Sequence, residues 1–183
     1  MQEIGSKLHA TNLKQLTNAS QFILGPQFIE RLLSWQKMEI NNAMYLTVHP
    51  YLTVYKTTYQ NISVILLGYI LDPDKPEARD EHIINDLLLT SSDADELILN
   101  TYRLGGRWIL IIDDGEELRL LHDAAGLRQV YYSDVHRTKD LWCASQATLI
   151  AEILGLQMNN EAVGFINWFN GPNSAPTTKL ISL

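Results

Sequence analysis

Cysteine is almost absent from this sequence of 183 residues, in which Cys143 stands alone. A lone cysteine forms no disulfide within its own chain, which excludes a small secreted domain held together by disulfides. The first 20 residues also lack the apolar stretch of a secretory signal peptide. These two absences predict a protein of the reducing cytoplasm.

Positive charge and long apolar runs are scarce as well. The chain carries 14 lysines and arginines against 21 aspartates and glutamates, a net charge of −7, which disfavours binding to the phosphate backbone of a nucleic acid. No apolar run approaches the roughly 18 residues that a membrane-spanning helix needs. We therefore expect neither a nucleic acid nor a membrane as a partner.

Motifs for metal ions and phosphate groups are missing too. The 5 histidines are scattered, with no pair at the spacing typical of metal ligands. Neither common form of glycine-rich phosphate loop occurs. The sequence thus predicts no metal and no cofactor for this chain itself.

What the chain does contain is an alternation of apolar segments and turns, typical of one domain over residues 1–183 with residues 1–20 as a loose arm. Runs rich in Val, Ile, Thr and Tyr predict strands, and apolar residues at helical spacing predict helices. Ser145 is the expected N-cap of the last helix. Strands are expected at 21–26, 43–48, 52–59, 62–70, 129–134 and 141–146, together with a hairpin of two strands around Asp114-Gly115. Helices are expected at 26–38, 79–89, 92–105 and 145–155.

The order of these elements indicates a fold class. Consecutive strands joined by short turns favour antiparallel sheets, which the helices must cover. The nearly all-apolar strand at 62–70 is expected to be central, with both faces covered. The prediction is therefore an α+β fold in which two stacked antiparallel sheets lie between helical layers.

Three short motifs in series resemble a known family. They are Gly106-Arg107-Trp108, the segment DAAGLRQVYY from Asp123 to Tyr132, and Cys143-Ala144-Ser145-Gln146. In this order and spacing they resemble the glutamine amidotransferase domain (class II) of the asparagine synthetases. The resemblance is best over residues 104–156, and it implies the N-terminal nucleophile (Ntn) hydrolase fold, a four-layer α-β-β-α sandwich.

The middle motif has a structural explanation. Asp123 is expected to accept hydrogen bonds from backbone N–H groups of the loop that follows it, and Gly126 to adopt a positive φ. Tyr131 and Tyr132 are neighbours in a strand and should face opposite sides. We interpret these residues, and Arg128 with them, as holding the fold and taking no part in chemistry.

The resemblance fails at the catalytic residue. The family's nucleophile is a cysteine that becomes the first residue when the initiator methionine is removed, and its free amino group acts as the base. Here Met1 is followed by Gln2, and Ser6 or Thr11 would be exposed only by processing that no sequence signal indicates. Cys143 lies on a predicted buried strand and is interpreted as a core residue. We therefore predict no catalytic residue.

The substrate pocket of the family is also altered. The family's Asn-Gly-Glu segment, whose asparagine helps to form the oxyanion hole, is matched here by Leu67-Gly68-Tyr69, which lacks the amide donor. Asp80 is a candidate for the aspartate that binds the amino group of glutamine, and it is equally explained as an acid in the first turn of a helix. Leu67, Gly68, Tyr69 and Asp80 are the expected remnant of the pocket.

These features predict a degenerate glutamine amidotransferase-like domain, a pseudoenzyme. The segment after residue 160 resembles the run that leads, in the family, to an ATP-dependent amide-forming synthetase domain. The resemblance thus implies such a domain as a C-terminal partner in the same chain, with ATP and Mg²⁺ as cofactors of that domain, and it leaves a homodimer open. Two alternatives also remain open: an active glutamine hydrolase with a processed nucleophile, and a module that binds a small molecule such as an amino acid.

Overall fold

A computed structural model describes residues 20–157, apart from the side chain of Arg137. The loose arm, except for Ser20, and the C-terminal segment that resembles the run to a synthetase domain lie outside the described residues. The strands are β1 (Phe22–Gly25), β2 (Gln36–Asn41), β3 (Met44–Val48), β4 (Val54–Tyr59), β5 (Ile62–Leu71), β6 (Gly105–Asp113), β7 (Leu118–His122), β8 (Tyr131–Tyr132) and β9 (Cys143–Ala144). The helices are α1 (Asp80–Thr90), α2 (Ala94–Thr101), α3 (Val135–Thr138) and α4 (Ala147–Leu154).

The strands form two sheets in which every pairing is antiparallel. One sheet has the order β2-β3-β1-β9-β8, and the other has the order β4-β5-β6-β7. The predicted hairpin around Asp114-Gly115 is confirmed as the β6–β7 pair, and the two predicted strands at 129–134 and 141–146 are confirmed as the short β8–β9 pair. The α+β class with two antiparallel sheets is thus confirmed.

Three apolar clusters show how the layers are stacked. Because side chains alternate along a strand, Ile65 and Leu67 of β5 pack toward the five-stranded sheet, while Val64 and Leu66 pack toward the helices α1 and α2. The prediction that this strand is central and covered on both faces is confirmed. On the outer face of the five-stranded sheet, α4 contributes to a third cluster, made of Ile23, Ile29, Leu32, Trp35, Trp142, Ala144, Leu149 and Ile150.

The predicted helix at 26–38 is wrong. The chain makes separate turns there, in which the N–H of Leu32 donates to the carbonyl of Ile29 and that of Trp35 to the carbonyl of Leu32, both at 3.1 Å, and it then enters β2. Such turns bury every third residue and so mimic the apolar spacing of a helix. Leu33, which the helix pattern counted as apolar face, is 87% exposed.

Two predicted helix ends also need correction. The sequence predicts that the second helix runs to Gly105, but α2 ends at Thr101, and Gly105 already pairs with Leu71 as the first residue of β6. The expected N-cap of α4 was Ser145, but the N-cap is Gln146, and its side chain makes no capping hydrogen bond. The hydroxyl of Ser145 instead accepts the backbone N–H of Phe22 at 3.1 Å, which fastens β1 to the end of β9.

Candidate functional site

A pocket of about 490 Å³ opens where β1 begins and where β9 leads into α4. Its walls come from four separate parts of the chain: the residues before β1, the start of β6, the loop between β7 and β8, and the β9–α4 junction. We call it the Arg128 pocket, and it is lined by Ser20, Gln21, Arg107, Gly126, Leu127, Arg128, Gln129, Ser145 and Gln146.

The loop that carries Arg128 is held by Asp123. The carboxylate of Asp123, which is 1% exposed, accepts the N–H groups of Leu127 at 2.9 Å and Arg128 at 3.1 Å. Gly126 has a φ of +62°, and its N–H donates to the carbonyl of Asp123 at 2.9 Å. The hydrogen bonds and the positive φ predicted for this loop are therefore confirmed.

The guanidinium of Arg128 lies buried at the wall of the pocket. The residue is 7% exposed, and its Nη1 donates to the carbonyl oxygen of Ser20 at 3.1 Å. Its Nε has no hydrogen-bond partner in the described part of the chain. Burial lowers the pKa of Arg128, the charge of Arg107 lowers it further, and Asp123 and Tyr69 oppose them. An arginine nevertheless remains protonated at neutral pH, so the pocket wall holds a buried positive charge.

Gln21 adds an amide group that is buried without partners. The residue is 2% exposed, and within residues 20–157 neither its Oε1 nor its Nε2 makes a hydrogen bond. Most buried polar side-chain atoms in proteins have at least one partner. One amide and one guanidinium nitrogen at the same pocket therefore both have unused hydrogen-bonding capacity.

Only two of the four residues predicted as a remnant of the family's substrate pocket lie near Arg128 or Arg107. Gly68, with a φ of +106°, lies so near Arg128 that a Cβ on it would be 3.1 Å from Nη2. Tyr69 is 49% exposed and pairs with Arg107 in the β5–β6 ladder. Leu67, however, is fully buried between the sheets, and the Oδ1 of Asp80 accepts the N–H of Ile70 at 3.0 Å. None of these four residues lines the Arg128 pocket itself; only Gly68 and Tyr69 are next to residues that do.

Most of the remaining residues of the three motifs contact other parts of the fold and not the pocket. Gly106 has a φ of +112°, and a Cβ there would lie 2.5 Å from the carbonyl oxygen of Tyr69. Tyr131 packs against the cluster beneath α4, whereas Tyr132 is 69% exposed, which confirms that the two tyrosines face opposite sides. Arg107 and Ser145, by contrast, both reach the pocket wall.

Cys143 lies in the core between the sheets and not at the pocket. It pairs with Leu24 of β1 and is 7% exposed. Burial raises the pKa of its thiol to about 11, so at neutral pH it is an unreactive thiol. The interpretation of Cys143 as a core residue is confirmed.

Residues 20–157 contain neither a membrane-spanning helix nor a metal-binding cluster. None of the helices in this range has the length and apolar character needed to cross a membrane. In the same range, no three His, Cys, Asp or Glu side chains come together in a way that could hold a metal ion.

The sequence matches no protein-family model and none of the curated proteins with which it was compared. Sequence reasoning missed Gln21 and Gln146 and treated Arg128 as purely structural. The available signal was that Ser20-Gln21 and Ser145-Gln146 are polar pairs at the very ends of apolar strands.

Proposed function

We propose that this chain is a degenerate glutamine amidotransferase-like domain with the Ntn-hydrolase fold, and that it acts as a structural or regulatory partner of an asparagine synthetase-like domain that forms amides with ATP. The observation that carries the proposal is a convergence. Arg107, Gly126 and Ser145 come from the three separate motifs of the resemblance, and all three line one pocket. The Ntn-hydrolase fold also has helices on the outer faces of two stacked antiparallel sheets, and in this protein helices pack on the outer face of each sheet.

The chemistry of the pocket argues for a domain without hydrolase activity. Its described walls contain amides, two serine hydroxyls and two arginines, but no thiol, imidazole or carboxylate. Ser20 follows Ala19 in the chain, so its nitrogen belongs to a peptide bond and cannot serve as the free-amine base of an Ntn hydrolase. Leu67 supplies no donor for an oxyanion. The alternative of a working hydrolase would need processing that frees the amino group of a nucleophilic residue such as Ser6, Thr11 or Ser20.

The test is co-expression with the ATP-dependent synthetase domain encoded downstream of residue 183 or in a neighbouring gene. The chain is expected to purify with that domain and to raise its rate of amide formation from ammonia, with ATP and Mg²⁺ bound by the synthetase domain alone. The synthetase domain without this chain is the control. Failure to associate, or a reaction in which glutamine replaces ammonia, would contradict the proposal.

A further inference from the structure

The guanidinium of Arg128 is a buried charge that no acid of residues 20–157 neutralises by an ion pair. The charge of Asp123 in the same loop acts on Arg128, but no ion pair joins the two groups in this range, and the Asp123 carboxylate accepts the backbone N–H groups of Leu127 and Arg128 instead. The only side-chain hydrogen bond that Arg128 makes in this range is to the neutral carbonyl of Ser20, and its Nε is left without a partner. A buried charge is costly unless it is paired, so the site favours an incoming anion.

Three other features of the pocket favour negative charge. Arg107 adds a second, exposed guanidinium to the described walls, and no acidic residue lines them. Helix α4 begins directly after Gln146, its N-cap at the pocket, which makes no side-chain capping hydrogen bond, and the first turn has no acid, so its N-terminal N–H groups add positive potential. The residue Gln21 is only 2% exposed, and neither polar atom of its amide has a partner in the described part of the chain, so the same pocket wall holds an unused donor and an unused acceptor.

We propose that the Arg128 pocket binds a small oxyanion, the carboxylate or phosphate group of a free metabolite, through Arg128 and Gln21. Planar guanidinium groups bind carboxylate and phosphate oxygens by paired hydrogen bonds, and an unused Nε is suited to one of them. The volume of about 490 Å³ exceeds that of a single such group, so the oxyanion anchors a larger molecule. This site differs from the expected remnant, because Leu67 and Asp80 take no part in it, and it does not depend on the proposed partnership with a synthetase domain.

The experiment measures the melting temperature of the full chain in acetate, in inorganic phosphate and in acetamide, at constant ionic strength. A ligand that binds only the folded chain raises the melting temperature as its concentration exceeds its Kd. At least one of the two anions should give a saturable rise, and acetamide, the uncharged counterpart of acetate, should give none. A response to acetate alone identifies a carboxylate, one to phosphate alone identifies a phosphorylated molecule, and a response to both identifies a general oxyanion site.

Variants then assign the response to the pocket. Arg128→Met should weaken anion binding by about 10- to 100-fold, since a hydrogen bond to a charged group is lost. Gln21→Leu should weaken it as well, and it keeps the proposal testable if Arg128→Met fails to fold. Arg103→Met is the matched control, because Arg103 pairs with Asp72 and Asp74 away from the pocket and its loss should leave the response unchanged.

Two results would overturn the proposal. One is a wild-type chain whose melting temperature responds to neither anion. The other is a response of wild-type strength in both the Gln21→Leu variant and any folded Arg128→Met variant, because the anion would then act elsewhere on the protein.

Discussion

Gly68 lies against Arg128 so closely that a Cβ atom on the glycine would be 3.1 Å from Nη2 and 3.2 Å from Nε of the guanidinium. The glycine therefore makes room for the buried charge of the pocket. It sits near the end of the central strand β5, opposite Trp108. The one residue that this segment shares with the Asn-Gly-Glu segment of the asparagine synthetases is thus explained here by packing.

Replacement of Gly68 by alanine should destabilise the protein. The Cβ would lie 2.2 Å from the carbonyl oxygen of Arg107, and the φ of +106° is one that side chains rarely adopt. Strain and overpacking together are expected to cost about 2–4 kcal/mol in free energy of unfolding, measured by urea denaturation. Gly105→Ala is the control, because the nearest atom to its Cβ is Leu71 Cβ at 3.9 Å. Equal stability of the two variants would show that a side chain at position 68 does not clash with the carbonyl oxygen of Arg107.

The parts of the fold that could be predicted from sequence are those with local signals. The strand β5 is a continuous apolar run, and Asp114-Gly115 is a strong turn signal between two strands. The helix expected at 26–38 failed because Ile29, Leu32 and Trp35 have the spacing of a helix and also that of successive turns. A pattern of apolar positions does not distinguish these two structures.

The Arg128 pocket could not be predicted because it is built by contacts between distant parts of the chain. Gln21 shares the pocket wall with the β9–α4 junction and the loop of Asp123, which are more than 100 residues away in sequence. The sequence shows Gln21 as a polar residue at the end of an apolar strand, but this position alone does not distinguish a buried amide from an exposed one. Tertiary packing, and not local preference, creates the two unpartnered groups of the pocket.

Cys143 should resist thiol reagents in the native protein. Because burial raises the pKa of its thiol to about 11, labelling at neutral pH should be far slower than in denaturant, which serves as the control. Because the thiol holds its proton more tightly in the folded chain than in the unfolded chain, it favours folding below its ordinary pKa of 9.0. This contribution to the free energy of unfolding should be lost as the pH rises toward about 11. Cys143→Ala should lack this pH dependence and cost about 1–2 kcal/mol. Fast labelling of the folded chain would contradict the burial.

Asp114 should make the β6–β7 hairpin sensitive to acid. Its carboxylate accepts the N–H groups of Glu117 and Glu116 and pairs with Arg119, and these contacts lower its pKa from 3.8 to about 2. The stabilisation is present above the ordinary pKa and is lost as the pH falls toward about 2.

The Asp114→Asn variant tests this expectation. It should be less stable than the wild type at neutral pH, and the difference in the urea midpoint should shrink as the pH falls from about 4 to about 2. Glu116→Gln is the control, because it changes the net charge equally but leaves the hydrogen bonds of Asp114 in place. The same pH trend in both variants would mean that net charge, and not the hairpin, is responsible.

The isolated chain should not hydrolyse glutamine, because it lacks both an activated nucleophile and a donor for the oxyanion. The nitrogen of Ser20 at the pocket lies in a peptide bond, the thiol of Cys143 is buried between the sheets, and neither Met1 nor Gln2 carries a nucleophilic side chain. Leu67 cannot donate to an oxyanion, and the loss of one such donor typically lowers the rate about 100- to 1000-fold. Since these groups act as a unit, the residual rate should be close to background.

The assay is glutamate release from millimolar glutamine by the full chain, with the mass of the protein measured before and after the reaction so that any loss of N-terminal residues is detected. Turnover that survives repurification and disappears when Cys143 is alkylated would contradict both the non-catalytic proposal and the core position of that cysteine. Activity that is lost only in Ser6→Ala or Thr11→Ala would show that processing exposes a hidden nucleophile. Activity lost in Ser20→Ala, but retained in Ser145→Ala, would place the nucleophile at the start of β1, where a cut before Ser20 gives it the free amino group that an Ntn hydrolase needs.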